Sequence, residues 1–256
     1  RQGVPAIPNP YDLFSLEEAL RLKDRFGGMV TALCMGPPQA EDALRKCVSY
    51  GADDAILVTD RAFAGADTLA TSYALAAGIR QIAREQAVDI VFTGKQTIDG
   101  DTAQVGPGIA KRLNLLQLTY VSKLVECDPE KGEVVVERRA EGGVQVLKTA
   151  MPCLITMIEG SNEVRRGAFN DALRAARAEI VTWSAKDAEI EDLTKCGLKG
   201  SPTIVKKVFA PAPRSEKAAF VEPGKTAGDS AEALIASIFG RHPALEADMT
   251  KLASGL

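Results

Sequence analysis

Histidine is nearly absent from this sequence: His242 is the only one in 256 residues, and it stands beside Pro243 in a stretch that reads as surface. Reactions that need an imidazole base or nucleophile, and metal sites built on imidazole, are poor readings of such a chain. Cysteine offers no substitute. Cys34, Cys47, Cys127, Cys153 and Cys196 are odd in number and far apart, with no C-x-x-C pair. Zinc or iron–sulfur ligation is therefore not expected, and buried thiols in a reducing compartment are. The familiar phosphate and nucleophile signatures are missing too, since G-x-G-x-x-G, G-x-x-x-x-G-K-[ST] and G-x-S-x-G do not occur. That argues against a standard dinucleotide dehydrogenase, a P-loop ATPase and an α/β-hydrolase. Charge of one sign is not in large excess: 31 Lys+Arg stand against 34 Asp+Glu, a net −3, so no nucleic-acid partner and no polybasic membrane surface are expected. No apolar run approaches the roughly 18 to 20 residues that cross a bilayer. No signal-peptide pattern opens the sequence, and the cytoplasm is the expected location. The sequence begins at Arg1, without methionine, in the Pro-rich stretch Val4-Pro5-Ala6-Ile7-Pro8-Asn9-Pro10, and we expect residues to precede it in the native protein.

What is present is enough apolar sequence, 46%, for the core of one large α/β domain or a domain with a smaller lobe. The stretch on which the chain is organised runs from Gly94 to Pro107. It follows the apolar run Ile90-Val91-Phe92 and precedes a helical pattern. Gly94 and Gly100 let backbone approach a ligand closely, and a helix starting near Thr102, Ala103 and Gln104 would turn its unpaired N–H groups toward an anion. A plain strand-to-helix connection capped by Asp99 or Asp101 satisfies the same pattern. On chemistry alone both readings stand.

Taken in order, Asp12 to Arg25 has helical spacing, with Ser15 and Glu18 placed for a capping box and Gly27-Gly28 as its stop. Met29 to Met35 reads as a strand, closed by Gly36-Pro37-Pro38 and followed by a helix to about Tyr50 with Gly51 as its cap. Ala55 to Thr59 is a buried strand. Asp60 to Asp67 is a long loop of small residues before the helix Thr68 to Glu85, and long loops at the carboxyl ends of parallel strands tend to line a ligand crevice. A surface loop is the plain alternative. Asp89 to Thr93 is the next strand, so the alternation implies a parallel sheet with helices on both faces. Leu118 to Cys127, Glu133 to Ala140 and Val144 to Met151 then read as antiparallel strands, and Cys153 to Ile158 as a buried one. Arg165, Arg166, Arg174 and Arg177 flank a short helix with Phe169, Ala172 and Leu173, either a docking patch or an ordinary amphipathic helix. From Trp183 to Gly224 the pattern, Pro-rich at Phe209 to Arg214, suggests an extended arm, and Ala231 to Phe239 a last helix. The fold class expected is α/β, doubly wound and mostly parallel, with added antiparallel strands and a C-terminal arm. Without an obvious acid, base or nucleophile, the work of such a protein depends on what it holds, and a redox cofactor fits.

Asn9-Pro10-Tyr11-Asp12 with Leu16-Glu17-Glu18-Ala19-Leu20-Arg21-Leu22-Lys23, Met35-Gly36-Pro37, Gly51-Ala52-Asp53, Phe63-Ala64-Gly65-Ala66-Asp67-Thr68, the Gly94–Pro107 stretch, Asn162-Glu163 and Gly200-Ser201-Pro202-Thr203 together resemble the β subunit of electron-transfer flavoproteins along nearly the whole chain. The resemblance implies a heterodimer with an α subunit that holds one FAD, and a nucleotide in this subunit clasped by Asn9, Met35 and the Asp99 to Val105 turn. In the simple type that nucleotide is AMP, and the turn usually offers polar side chains where this chain has Ala103 and Val105. The electron-bifurcating type holds a second FAD there, and this chain resembles it in Gly100 to Gly106 and in the Asp60 to Thr68 loop. Cofactor contacts are then expected from Asn9, Met35, Phe63, Ala64, Gly65, Asp67, Thr68, Gly94, Asp99, Gly100, Asp101, Thr102, Ala103, Gln104 and Val105, with Arg61 a further candidate. No metal and no catalytic side chain is implied.

The bifurcating reading makes NADH a transient donor, ferredoxin or flavodoxin one acceptor, and an acyl-CoA dehydrogenase-like partner, reached through the α-subunit FAD, the other. Arg165, Phe169 and Leu173 in segment 161–178 are the expected docking residues, with Val164 where the family places a proline and Phe169 where it places an anchoring leucine. Members of the family also begin with one more strand and turn. Residues 1–183 are the expected nucleotide-binding domain and 184–256 an arm and helix packing on the α subunit. The alternatives are a non-bifurcating carrier that binds only AMP and, from another class, a nucleotide-binding sensor. Adenylation is disfavoured by the lack of a Ser-Gly-Gly loop.

Overall fold

A computed structural model of the chain describes residues 7–207, 209, 212, 218 and 220–254. In order it builds α1 (Pro10–Phe26), β1 (Thr31–Met35), α2 (Glu41–Tyr50), β2 (Asp54–Val58), α3 (Thr68–Glu85), β3 (Ile90–Gly94), α4 (Val105–Leu113), β4 (Leu116–Asp128), β5 (Glu133–Ala140), β6 (Gly143–Ala150), β7 (Cys153–Met157), α5 (Phe169–Arg177), β8 (Val181–Trp183), α6 (Ala227–Arg241) and α7 (Pro243–Ser254). The mixed α/β class, parallel strands with antiparallel additions, is the one expected from the sequence.

Among the described residues the strands fall into two sheets. One has the order β1-β2-β8, all parallel, and the other β3-β7-β4-β5-β6. In the second, β3, β7 and the first part of β4 are parallel, and β4-β5-β6 are antiparallel. One 13-residue strand therefore serves both halves. It leaves β7 at an irregularity between Leu118 and Val121, where Tyr120 has φ +60 and its N–H donates to Thr156 Oγ1 at 3.1 Å. The strands β1 and β3 each end a sheet, and residues of both line one cleft.

Side-chain alternation sends successive residues of a strand to opposite faces. On β2, Ala55 and Leu57 pack with Leu44 and Val48 of α2 and Ala175 of α5. Val58 packs with Tyr73 and Ala74 of α3. In the other sheet, Val121, Val134, Val136, Ile155 and Met157 receive Phe14 and Leu22 of α1, while Leu154 faces Ile79 of α3 and Ile109 of α4. Helices thus cover both faces of the parallel strands, which is what their near-continuous apolar sequence requires.

Several boundaries differ from the sequence reading. The first helix starts at Pro10, whose fixed φ suits a first helical position, and the Ser15–Glu18 capping box does not form. Ser15 is buried mid-helix, and Glu18 accepts from Asn162 instead. The helix after the Gly94 turn starts at Val105, not near Thr102, because Asp101 and Ala103 take left-handed φ values of +50 and +54. The short strand β8 was not anticipated, and the compact unit runs to Val205, past the expected boundary at 183/184. Ala185, Ala188 and Cys196 are buried in the cluster around Val58 and Phe63, which is why the chain cannot leave the domain at Trp183.

Residues 206–256 form a second unit. It contains α6, opened by a capping box between Thr226 and Asp229, and α7, which the sequence reading missed. Neither helix buries a residue, and Leu234, Ile235, Met249 and Leu252 are exposed. Most of the Phe209 to Arg214 arm, like Val4 to Ala6, lies outside the described residues.

Candidate functional site

A cleft opens at the carboxyl ends of β1 and β3. Crevices at the carboxyl ends of parallel strands are where open α/β sheets bind ligands. At this end its wall includes the start of α1 with the end of β1, the 60–69 loop, and the turn from Thr97 to Val105.

Asn9 precedes α1 and is fixed by two bonds from its Nδ2, to Gln96 O at 2.8 Å and to Asp12 Oδ2 at 2.9 Å. With both amide hydrogens used, its Oδ1 is left buried and without a partner. It is an acceptor suited to a ligand O–H or N–H. Asp12 Oδ1 accepts the Gly94 N–H at 2.5 Å, tying the first turn of α1 to the end of β3. Crowding by neighbouring protein pushes the Asp12 carboxyl above the usual range, against the opposing pull of the Gly94 N–H and the Asn9 amide. Thr93 Oγ1 is also buried and unpartnered, but it lies against Gly106 of α4 and outside the cleft wall.

The 60–68 loop is built more firmly than its small residues suggested. Asp60 Oδ1 accepts from Ala62 N–H and Oδ2 from Ala185 N–H, and these bonds hold its carboxyl below the usual range. Asp67 caps α3, its Oδ1 accepting from Leu69 and Ala70 N–H at 2.9 and 3.1 Å. Its Oδ2 takes Thr203 N–H and Oγ1–H at 3.2 and 2.9 Å. Burial pushes the Asp67 carboxyl up, but the hydrogen bonds from Ala70 and Thr203 outweigh it and hold the group below its ordinary value. Ser201 Oγ accepts the Asp67 N–H and donates to Gly197 O, and Leu198 N–H donates to Ala64 O. Gly197 (φ +53) lies so close that an added Cβ would stand 2.2 Å from Ala62 O. The segment Gly197–Thr203 is thus a strap that fixes the loop, and it brings Pro202, Thr203 and Val205 into the cleft wall.

Of the residues expected at the site, Asn9, Met35, Phe63, Ala64, Gly65, Asp67, Thr68, Asp99, Gly100, Thr102, Gln104 and Val105 line the cleft. Thr68 Oγ1–H donates to Gln104 Oε1 at 2.8 Å, joining the loop to the turn. Gly94, Asp101, Ala103 and Arg61 are not in the wall. Gly94 is covered by Tyr11 and Asp12 backbone, Asp101 accepts from Gln96 Nε2 at 2.7 Å, and Arg61 points out to solvent from a single 3-10 turn. Phe63 is 5% exposed and belongs to the core around Val58 and Tyr73, so it shapes the loop more than it offers a free ring. Asp12 and the strap were missed as site residues, although the motifs Asn9-Pro10-Tyr11-Asp12 and Gly200-Ser201-Pro202-Thr203 contained them.

The docking candidates separate as well. On α5 Phe169 is 80% exposed and Leu173 is exposed on the same helical face. Arg165 is instead committed inward. Its Nε and backbone N–H reach Glu17 Oε2 at 2.8 and 3.1 Å, and its Nη2 reaches Asp24 at 2.8 Å.

Fold and cleft together define a mixed α/β protein with a crevice at the carboxyl ends of its parallel strands. Residues 1–188 match the electron transfer flavoprotein domain. The chain is 66% identical over 256 residues to the Protein FixA of Azorhizobium caulinodans, covering 100% of this chain and 90% of that one. It is 63% identical over 254 residues to the Protein FixA of Azotobacter vinelandii (99% and 90%), and 50% identical over 208 residues to the electron transfer flavoprotein subunit beta of Clostridium acetobutylicum (81% and 77%). The chain belongs to the electron transfer flavoprotein family, as a β subunit. Membership as a β subunit implies an α-subunit partner. Among the described residues no helix is long and apolar enough to cross a membrane.

Proposed function

We propose that this chain is the β subunit of an electron-bifurcating electron-transfer flavoprotein of the cytoplasm, and that its cleft holds FAD. The observation that carries this reading is the make-up of two walls. Val105, in the first turn of α4, brings an apolar side chain where a terminal phosphate dianion would want polar ones, while the N–H groups of a helix start still suit a bridging diphosphate. Joined to that turn through Thr68 and Gln104, the strapped 60–68 loop supplies a fixed wall of small residues on which a planar ring can lie. The unpartnered Asn9 Oδ1 fits a ligand rich in O–H and N–H groups.

When bound, the flavin supplies the redox chemistry, accepting two electrons as hydride and releasing them singly. The protein's own residues bind, orient and exclude water. Asn9 is held in one orientation by Gln96 and Asp12, Gln104 and Thr68 keep turn and loop together, and no side chain needs to move a proton. NADH is the donor in this reading, ferredoxin or flavodoxin one acceptor, and an acyl-CoA dehydrogenase-like protein, through the α-subunit flavin, the other. Phe169 and Leu173 on α5 form its docking stripe.

Anaerobic titration of the purified heterodimer with NADH tests the proposal. Bleaching of two flavins per heterodimer supports it. A single flavin that NADH does not reduce points to the AMP-binding carrier, and purification of this chain without an α subunit would favour a nucleotide sensor.

A further inference from the structure

The docking stripe on α5 is only as well placed as the segment that leads into it. Residues 158–168 between β7 and α5 contain no helix or strand, yet three of them are bonded to a single helix, α1. Asn162 Nδ2 donates to Phe14 O and to Glu18 Oε2, each at 3.0 Å. Arg21 Nη2 donates to Glu163 O at 3.3 Å. Arg165 meets Glu17 through Nε, Nη2 and its backbone N–H at 2.8, 3.3 and 3.1 Å. Glu17 is 3% exposed, so its charge is tolerable only because Arg165 and Arg21 neutralise it. The far half of α5 is held separately, on α2, by Arg45 bonds to Ala175 O and Ala178 O and by Arg174 to Val48 O.

We propose that Glu17 is a positioning residue for partner docking, acting through Arg165 to hold the leading end of α5 and with it Phe169. The inference rests on the reading of α5 as the docking helix. The two anchors act at different points: α2 holds the helix body and the Gly167 backbone, which lies against Ser49 O, and the buried Glu17–Arg165 pair fixes the chain just ahead of them, from which the first turn is presented. A side chain as exposed as Phe169 has few contacts of its own to set that angle. The guanidinium fork, meeting a carboxylate through Nε and Nη2, sets it through geometry as well as energy. The same α1 carries Asn9 and Asp12 at its start, so the docking segment and the nucleotide cleft share one rigid mount.

The test uses the intact heterodimer and the Glu17→Gln variant, which keeps side-chain size and removes the charge. Hydrogen exchange at residues 162–170 should speed by about tenfold while residues 173–177 keep their protection. The KM for the dehydrogenase acceptor should rise by about tenfold, with kcat and NADH oxidation by an artificial acceptor unchanged. If Glu17→Gln does not yield folded protein, Arg165→Lys, which keeps the charge but loses the fork, should shift both readouts in the same direction by about threefold. Unchanged exchange overturns the proposal. So does faster exchange with an unchanged KM in a preparation where Phe169→Ala raises that KM. A Phe169→Ala protein with unaltered KM would instead remove the docking reading itself, leaving the exchange result to judge the anchor.

Discussion

Gly94→Ala puts the architecture of the cleft under direct strain. Gly94 ends β3 beneath the first turn of α1, and a Cβ there would stand 2.6 Å from Tyr11 Cβ and 2.7 Å from Asp12 N. Neither side yields easily. On the strand side, Lys95 N–H is bonded to Met157 O at 2.8 Å. On the helix side the neighbours are backbone, held by the Asp12 N–H to Asn9 O bond at 3.0 Å and by the Asp12 carboxylate on Gly94 N–H. Relief requires α1 to lift, which overpacks the contact at about 1–3 kcal/mol and weakens a charged hydrogen bond worth about 1.5–3 kcal/mol. A total near 2.5–6 kcal/mol is a large part of the roughly 5–15 kcal/mol that holds a domain together. At about 2–4 °C per kcal/mol for a unit of this size, thermal melting of the heterodimer should fall by roughly 5–24 °C. Bound nucleotide should be lost at the same time, because Asn9 moves with α1. Gly240→Ala in α6, where an added Cβ meets nothing within 4 Å, is the control and should melt no lower than the parent. A Gly94→Ala protein that melts with the parent and retains its nucleotide would refute this picture of α1 as the fixed wall.

Asp67→Asn should release the strap, since Thr203 and the cap of α3 depend on one carboxylate; trypsin should cut faster at Lys199 and Lys206, with stability down by about 1.5–3 kcal/mol. Because the folded carboxyl is held below the ordinary range of a free aspartate, that contribution is complete above that range and is lost as pH falls through the folded value, so the parent and Asp67→Asn should converge in acid. Burial pushes the Cys34 thiol up to about 11 and Cys47 to about 12, and a disulfide reagent at pH 8 should label them only as the protein unfolds. Phe169→Ala should impair electron transfer to the dehydrogenase while flavin content and NADH oxidation stay at parental values, and loss of flavin would mean structural damage instead.

Local patterns were legible in the sequence where local physics decides them. The helix from Thr68 to Glu85 has its bounds written in Asp67, a capping residue, and in the apolar period that follows. The strand before Gly94 and the hairpins from Leu116 to Ala150 were marked by β-branched runs and turns. Contacts between distant residues were not legible. Ser15 and Glu18 have capping-box spacing, but Asn162, 144 residues away, claims Glu18. Arg165 was expected as a docking residue, yet Glu17, 148 residues away, holds it, and nothing near Thr203 signals that Asp67 holds it across 136 residues. The late start of α4 follows from Asp101 and Ala103 taking left-handed backbone, an arrangement that neither residue type advertises. The cleft was therefore visible as a set of loops, and its strap and anchors only once the chain was folded.

The central claim is that this cleft holds a flavin. Chromatography of the nucleotides released on denaturing the purified heterodimer measures it most directly. The account predicts two FAD per heterodimer and no AMP; one FAD and one AMP would contradict it.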